Sequence, residues 1–90
     1  MDFKYEKNRI YALNEEGKLV AEITFPDAGP GQVDINRTFV DDSLRGQGVA
    51  GQLMEAACQE IKKQNKKAAL TCSYAVKWRE NHDGHEDLFI

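Results

Sequence analysis

The sequence predicts a small α+β domain with mainly antiparallel N-terminal strands, one parallel strand-helix-strand crossover and a short C-terminal helix. Three observations carry this: apolar and polar residues alternate up to Val40, the period changes to that of a helix from Gly48, and a short β-forming run follows that helix directly.

Residues 5–13 and 18–25 are rich in β-branched and aromatic residues and flank Asn14-Glu15-Glu16-Gly17. That pattern predicts a hairpin with Gly17 at the position of positive φ. Leu19, Ala21, Ile23 and Phe25 then share one face of the second strand. The Pro and Gly residues of 26–31 make a loop, after which Val33, Ile35, Arg37 and Phe39 alternate with Asp34, Asn36 and Thr38 as a third antiparallel strand over 33–40. From Gly48 onward, Val49, Ala50, Leu53, Met54, Ala57, Cys58 and Ile61 recur three and four apart, with Gln52, Glu55, Gln59, Lys62 and Lys63 on the other face. Asn65 tolerates the left-handed conformation that ends a helix, and Lys66 and Lys67 suit the negative end of its dipole. Residues 68–73 read as a short buried strand and 74–81 as a short helix. A strand-helix-strand passage of this length implies a right-handed crossover, with 33–40 and 68–73 as a parallel pair.

Ninety residues accommodate one domain over 1–90, with a core small enough that a bound ligand contributes visibly to stability. The 41% hydrophobic and 30% charged residues are an ordinary globular balance. A net charge of -3 argues against a nonspecific nucleic-acid binder, whose affinity comes from neutralising phosphates with Lys and Arg. The opening segment, residues 1–7, lacks the apolar core of a secretory signal, and no run approaches the roughly 18 apolar residues of a membrane span. A cytoplasmic protein without a membrane partner is expected. Cys58 and Cys72 are too few to staple a fold and have no metal-site spacing, so two reduced thiols and no bound metal are expected.

The run Arg45-Gly46-Gln47-Gly48-Val49-Ala50-Gly51 joins the third strand to the helix. The first turn of a helix presents unpaired N–H groups and the positive end of its dipole, and glycine lets an anion approach the backbone closely. Glycine spacing alone fits a structural loop as well as a phosphate cradle. The run is neither the nucleoside-triphosphate loop, which needs a Lys-Ser or Lys-Thr after its last Gly, nor the three-glycine dinucleotide motif.

In its context the run resembles the pyrophosphate signature of the GNAT superfamily of acyl-CoA-dependent N-acetyltransferases: Gln or Arg, two residues, Gly, one residue, then Gly or Ala. Arg45, Gly48 and Ala50 fill it in register, and the likeness extends over about residues 33–73. The short length, Cys72 and Asn81-His82 are similar to a group of small, truncated GNAT-like acetyl-CoA-binding proteins. The resemblance implies a minimal GNAT-like fold with acetyl-CoA or CoA as cofactor. Its diphosphate would lie on the backbone of Arg45, Gly46, Gln47, Gly48, Val49, Ala50 and Gly51, and its pantetheine arm along Phe39 and Val40 where the parallel strands splay. Arg45 could instead pair with Asp41 or Asp42, and Lys62, Lys63 and Lys66 are candidates for the nucleotide's 3'-phosphate by location only.

The thioester would then point toward Cys72. Ala68, Leu70 and Cys72 share a strand face, so Cys72 is either a small packed thiol or an acyl acceptor at the strand end, with His82 as base or orienting group. His82 and His85 also suit a plain surface or turn, Cys58 belongs to the helix core, and Trp78 and Phe89 either close the core or touch ligand. The superfamily's helices between the first two strands are missing, which leaves the acceptor site absent or wide open. Its C-terminal tyrosine followed by Gly-Phe is also missing, and Tyr74 comes too early to replace it. Two functions are expected: an acetyltransferase acting on an unknown acceptor, conceivably a macromolecule, with Cys72 as relay, or a non-catalytic acyl-CoA-binding sensor or interaction module.

Overall fold

In the computed structural model, which describes residues 2–90, the expected first strand is two: β1 (Lys4–Glu6) and β2 (Arg9–Leu13), antiparallel across a turn at Lys7 and Asn8. Met1 lies outside the described residues. β3 (Leu19–Thr24) follows the predicted hairpin, in which Gly17 has a φ of 81° and the Asn14 side chain accepts from the amides of Glu16 and Lys18.

The expected third strand is also two, β4 (Gln32–Ile35) and β5 (Arg37–Val40), and these belong to different sheets. β5 joins the antiparallel sheet β1-β2-β3-β5, whereas β4 pairs in parallel with β6 (Lys67–Leu70). The parallel pair is thus shorter than the sequence implied, and Asn36 is the reason. Its amide donates to the Thr24 carbonyl at 3.3 Å and its side chain accepts from the Thr24 hydroxyl at 2.6 Å, which draws the chain toward β3. On the other side, the Ile35 carbonyl accepts from the amides of both Thr71 and Cys72. Beyond Ile35 the two chains diverge, leaving a wedge.

Helix α1 (Val49–Lys63) lies across β2, β3 and β5 and buries Val49, Leu53, Met54, Ala57, Cys58 and Ile61, the predicted face. These residues pack against Ile10, Ile23, Phe25 and Ile35, all fully buried, and truncating Leu53 to Ala would cost about 2–5 kcal/mol. The helix ends in a Schellman motif: Asn65 takes a φ of 57°, its amide donates to the Lys62 carbonyl, and that of Lys66 donates to Ile61. Helix α2 (Ser73–Asn81) follows β6 and buries Ala75 and Trp78. The segment after it returns to β6, where Ala68 exchanges backbone hydrogen bonds with Leu88 and Ile90 and Phe89 closes the core.

Candidate cofactor site

β5 ends at a loop braced from within. The Asp41 amide donates to the Val20 carbonyl at 2.8 Å, and the Asp41 carboxylate accepts from the Ser43 hydroxyl and amide at 2.6 and 3.1 Å. Those two bonds, the hydroxyl's first, hold the carboxyl below its ordinary pKa. A single 3₁₀ turn (Asp42–Leu44) leads to the glycines, where Gly46 and Gly48 have φ values of 80° and 71°. A side chain at either position would be strained, and the space in front of both is open.

Gly48 is the N-cap of α1 and offers no capping side chain. Its carbonyl accepts from Gln52, while the amides of Gly46, Gly48, Val49, Ala50 and Gly51 donate to no protein group among the described residues. The first turn of α1 carries no acidic residue, so no carboxylate of the helix's own offsets the positive end of its dipole. Gln47 contributes only a long 3.4 Å bond to the Leu44 carbonyl. The Arg45 guanidinium, free to swing over this concavity, lies 2.9 Å from Asp42. These groups suit a diphosphate: several converging N–H donors, a mobile cation and no Cβ in the way.

The wedge carries the other half of the site. Because Asp41 pairs with Val20 through its amide, alternation turns the N–H and C=O of Phe39 toward Glu22 of β3 and those of Thr38 and Val40 toward the open edge. Free backbone groups were expected at both Phe39 and Val40. The structure corrects this for Phe39, because register alone decides which residues of an edge strand face outward.

Cys72 stands where the wedge narrows, as the N-cap of α2. Its Sγ lies 3.7 Å from the Thr38 hydroxyl. Burial pushes the thiol up, but the amide of Ala75, the hydroxyl of Thr38 and the amides of Tyr74 and Thr38 together outweigh it and hold the thiol below its ordinary pKa. Cys58 is the opposite case, a fully buried thiol that burial pushes up to about 12. Tyr74 reaches back toward the cradle. A Cβ on Gly51 would meet its hydroxyl at 3.9 Å and the Trp78 indole nitrogen at 3.8 Å, so Gly51 lets α2 approach α1.

The structure does not bring His82 to Cys72. The two cap opposite ends of α2, ten residues apart, which at 1.5 Å per residue puts them roughly 15 Å apart. His82 stacks on Trp78 with ring centroids 4.3 Å apart, and its Nδ1 lies 2.8 Å from the Trp78 carbonyl. His85, which also suited a plain surface position, is buried against Trp78 with Nε2 3.0 Å from Glu55. Burial pushes the Glu55 carboxyl up, and the hydrogen bond and charge of His85 more than reverse this. No helix separates β2 from β3, so the face that an acceptor wall would cover stays open. An open groove of about 650 Å³ beside Tyr5, Glu55 and Glu60 runs along the outer face of α1, away from the wedge. Among the described residues, no cluster of His, Cys, Asp and Glu could hold a metal ion.

Comparison with known proteins agrees with this geometry. Residues 9–88 match the family described as GCN5-related N-acetyl-transferase. Protein NATD1 of Xenopus tropicalis is 37% identical over 62 residues, 68% of this chain and 57% of that protein, and human NATD1 has the same identity with 55% of its length covered. The chain thus spans under three-fifths of these relatives. A GCN5-like protein from Staphylococcus aureus, solved by NMR, superposes with a TM-score of 0.81 at 30% identity, over 99% of this chain and 87% of the other. The GNAT family N-acetyltransferase YhbS of Escherichia coli, crystallised with CoA, shares the fold at a TM-score of 0.65 and 21% identity, covering 79% of this chain and 43% of that one.

Proposed function

The chain belongs to the GCN5-related N-acetyltransferase family, and from that membership we propose that its 90 residues form one domain that binds acetyl-CoA and passes the acetyl group to an amine acceptor through Cys72. One observation carries the reading: the free amides of the α1 N-terminus, the outward edge of β5 and a thiol held below its ordinary pKa lie at the same end of the parallel pair.

When bound, acetyl-CoA supplies an activated acetyl group. The free amides of Gly46, Gly48, Val49, Ala50 and Gly51 would hold the diphosphate, with Arg45 exchanging Asp42 for a phosphate oxygen. Val40 offers its outward N–H and C=O to the amide groups of the arm, as an edge strand does to an added strand. Cys72 Sγ, as thiolate, would bond to the acetyl carbon as the carbon–sulfur bond to CoA breaks, with water supplying the proton that the leaving thiolate needs. The acceptor amine then bonds to the same carbon, the bond to Cys72 breaks, and the proton lost by the amine restores the thiol. Phe39 contributes packing rather than pairing, and His82 takes no part.

The missing acceptor wall favours an acceptor presented on a large molecule, since no helix among the described residues stands between β2 and β3 to enclose a small one. The same absence supports the second reading, a sensor or interaction module that binds acyl-CoA without turnover. We also propose a cytoplasmic setting, where the free thiols Cys58 and Cys72 stay reduced.

Titration with CoA and with acetyl-CoA, followed by two-dimensional amide NMR, tests the binding. Shifts centred on Val40, residues 46–51 and Cys72 are expected. An unchanged spectrum at millimolar CoA would overturn the proposal. Mass spectrometry after incubation with acetyl-CoA separates the readings: an adduct on Cys72 supports relay, and binding with no adduct supports the sensor.

A further inference from the structure

We infer that Thr38 is a positioning residue for the Cys72 sulfur, acting through its hydroxyl. The inference rests on the reading of Cys72 as acyl acceptor and adds the group that prepares it.

The break at Asn36 creates this arrangement. An unbroken strand would continue the register that pairs Gln32 with Lys67 and Ile35 with Leu70, so that Thr38 would meet Ser73 in a closed ladder. β5 instead turns to β3, and its outward edge faces the wedge. Thr38 and Val40 are its two outward residues, about 7 Å apart along the strand, so one edge serves both the thiol and the proposed arm. Across the wedge, the hydroxyl of Thr38 meets Cys72 Sγ at 3.7 Å.

A thiol donates to that hydroxyl. Once the thiol proton has passed to water, rotation about the Thr38 side chain lets the hydroxyl donate instead. The sulfur lies between the Thr38 hydroxyl of β5 and the first turn of α2, whose Tyr74 and Ala75 amides also favour the thiolate. Position then follows from charge: the geometry that stabilises the thiolate also fixes it at the narrow end of the wedge. Thr38 is partly buried and joins an edge strand, where Val has nearly the same shape and suits β structure. Packing alone would therefore tolerate that exchange.

The test is the pH profile of Cys72 alkylation by iodoacetamide, read by mass spectrometry of the Cys72 peptide, in the wild type, Thr38→Val and Thr38→Ser. Loss of one hydrogen bond to a charged group predicts about tenfold slower alkylation of Thr38→Val at neutral pH. The profile moves up by as much as about one pH unit, with the profile restored in Thr38→Ser. Unchanged melting and CoA binding in Thr38→Val show that the fold is intact. A Thr38→Val profile superimposable on the wild type overturns the inference. Acetylation of wild-type Cys72 by acetyl-CoA is measured beside it. A shifted profile without acetylation overturns relay and leaves Thr38 only as the residue that sets the thiol, whereas acetylation with an unshifted profile overturns Thr38 alone.

Discussion

The guanidinium of Arg45 sits 2.9 Å from the carboxylate of Asp42, with both side chains more than four-fifths exposed. A pair so open to water contributes at most about 1 kcal/mol and releases its cation readily. Arg45 is therefore held near the cradle without being locked to it.

Gly48 and Arg45 consequently differ in what a substitution does. Arg45→Lys keeps the charge and is expected to weaken CoA binding by about threefold or less, because only the shape of the cation changes and the backbone donors remain. Gly48→Val places a β-branched residue at a φ of 71° and puts its side chain in the space left open for phosphate. A loss of at least about a hundredfold is expected, with backbone strain of about 1–3 kcal/mol appearing in the melting temperature. Calorimetric titration of both variants reads the difference, and equal tolerance at the two positions would remove the cradle from the argument.

Proline distinguishes the two neighbours at the strand edge. Val40→Pro removes an N–H that faces the wedge, so the ladder to β3 survives and CoA binding weakens by about tenfold, the worth of one hydrogen bond. Phe39→Pro removes an N–H directed at Glu22 and is expected to destabilise the protein with or without ligand. Thermal melts with and without CoA check both. If Phe39→Pro melts normally and Val40→Pro binds normally, the register argument is wrong.

Replacing Cys72 by Ser is expected to abolish the acetyl adduct while leaving CoA affinity within about twofold, because the thiol contributes chemistry rather than grip. Acetyl transfer to an amine that survives in Cys72→Ser would point to direct attack by the acceptor and retire the relay.

Cys58 provides a pH signature. Its folded-state pKa of about 12 lies above the ordinary 9.0. Stability from this group is therefore complete below about pH 9 and declines as pH rises toward 12, since within that window only the unfolded chain gives up the proton. Urea unfolding between about pH 8 and pH 10.5 should show a steeper decline in the wild type than in Cys58→Ala. Parallel declines would mean that the thiol is less enclosed than its position on α1 implies.

The long helix, its cap at Asn65, the hairpin at Gly17 and the glycine-bearing turn into the helix were all legible, because each depends on local periodicity or on one residue's backbone preference. The break at Asn36 was not. Val33, Ile35, Arg37 and Phe39 keep a two-residue period straight through it, and a chain that changes sheets without changing pleat leaves no mark in that period. The decisive contact, the Thr24 hydroxyl on Asn36, joins residues twelve apart. The turn at Lys7 and Asn8 was hidden in the same way, lacking Gly or Pro. The Thr38 contact with Cys72 follows from the break, so it too was out of reach. His85 resembled a turn residue in a polar segment, and only the approach of Glu55 from α1 makes its burial intelligible.

Main-chain groups make up most of the surface proposed to face the cofactor, and every amino acid except proline supplies both the N–H and the C=O. Evolutionary drift can rewrite nearly all the side chains around such a surface without erasing it, provided that two left-handed positions stay glycine and proline stays off the outward edge. The Staphylococcus aureus relative keeps the whole outline at 30% identity. A combinatorial library diversifying residues 37–51 should accordingly return many CoA-binding sequences with little else in common.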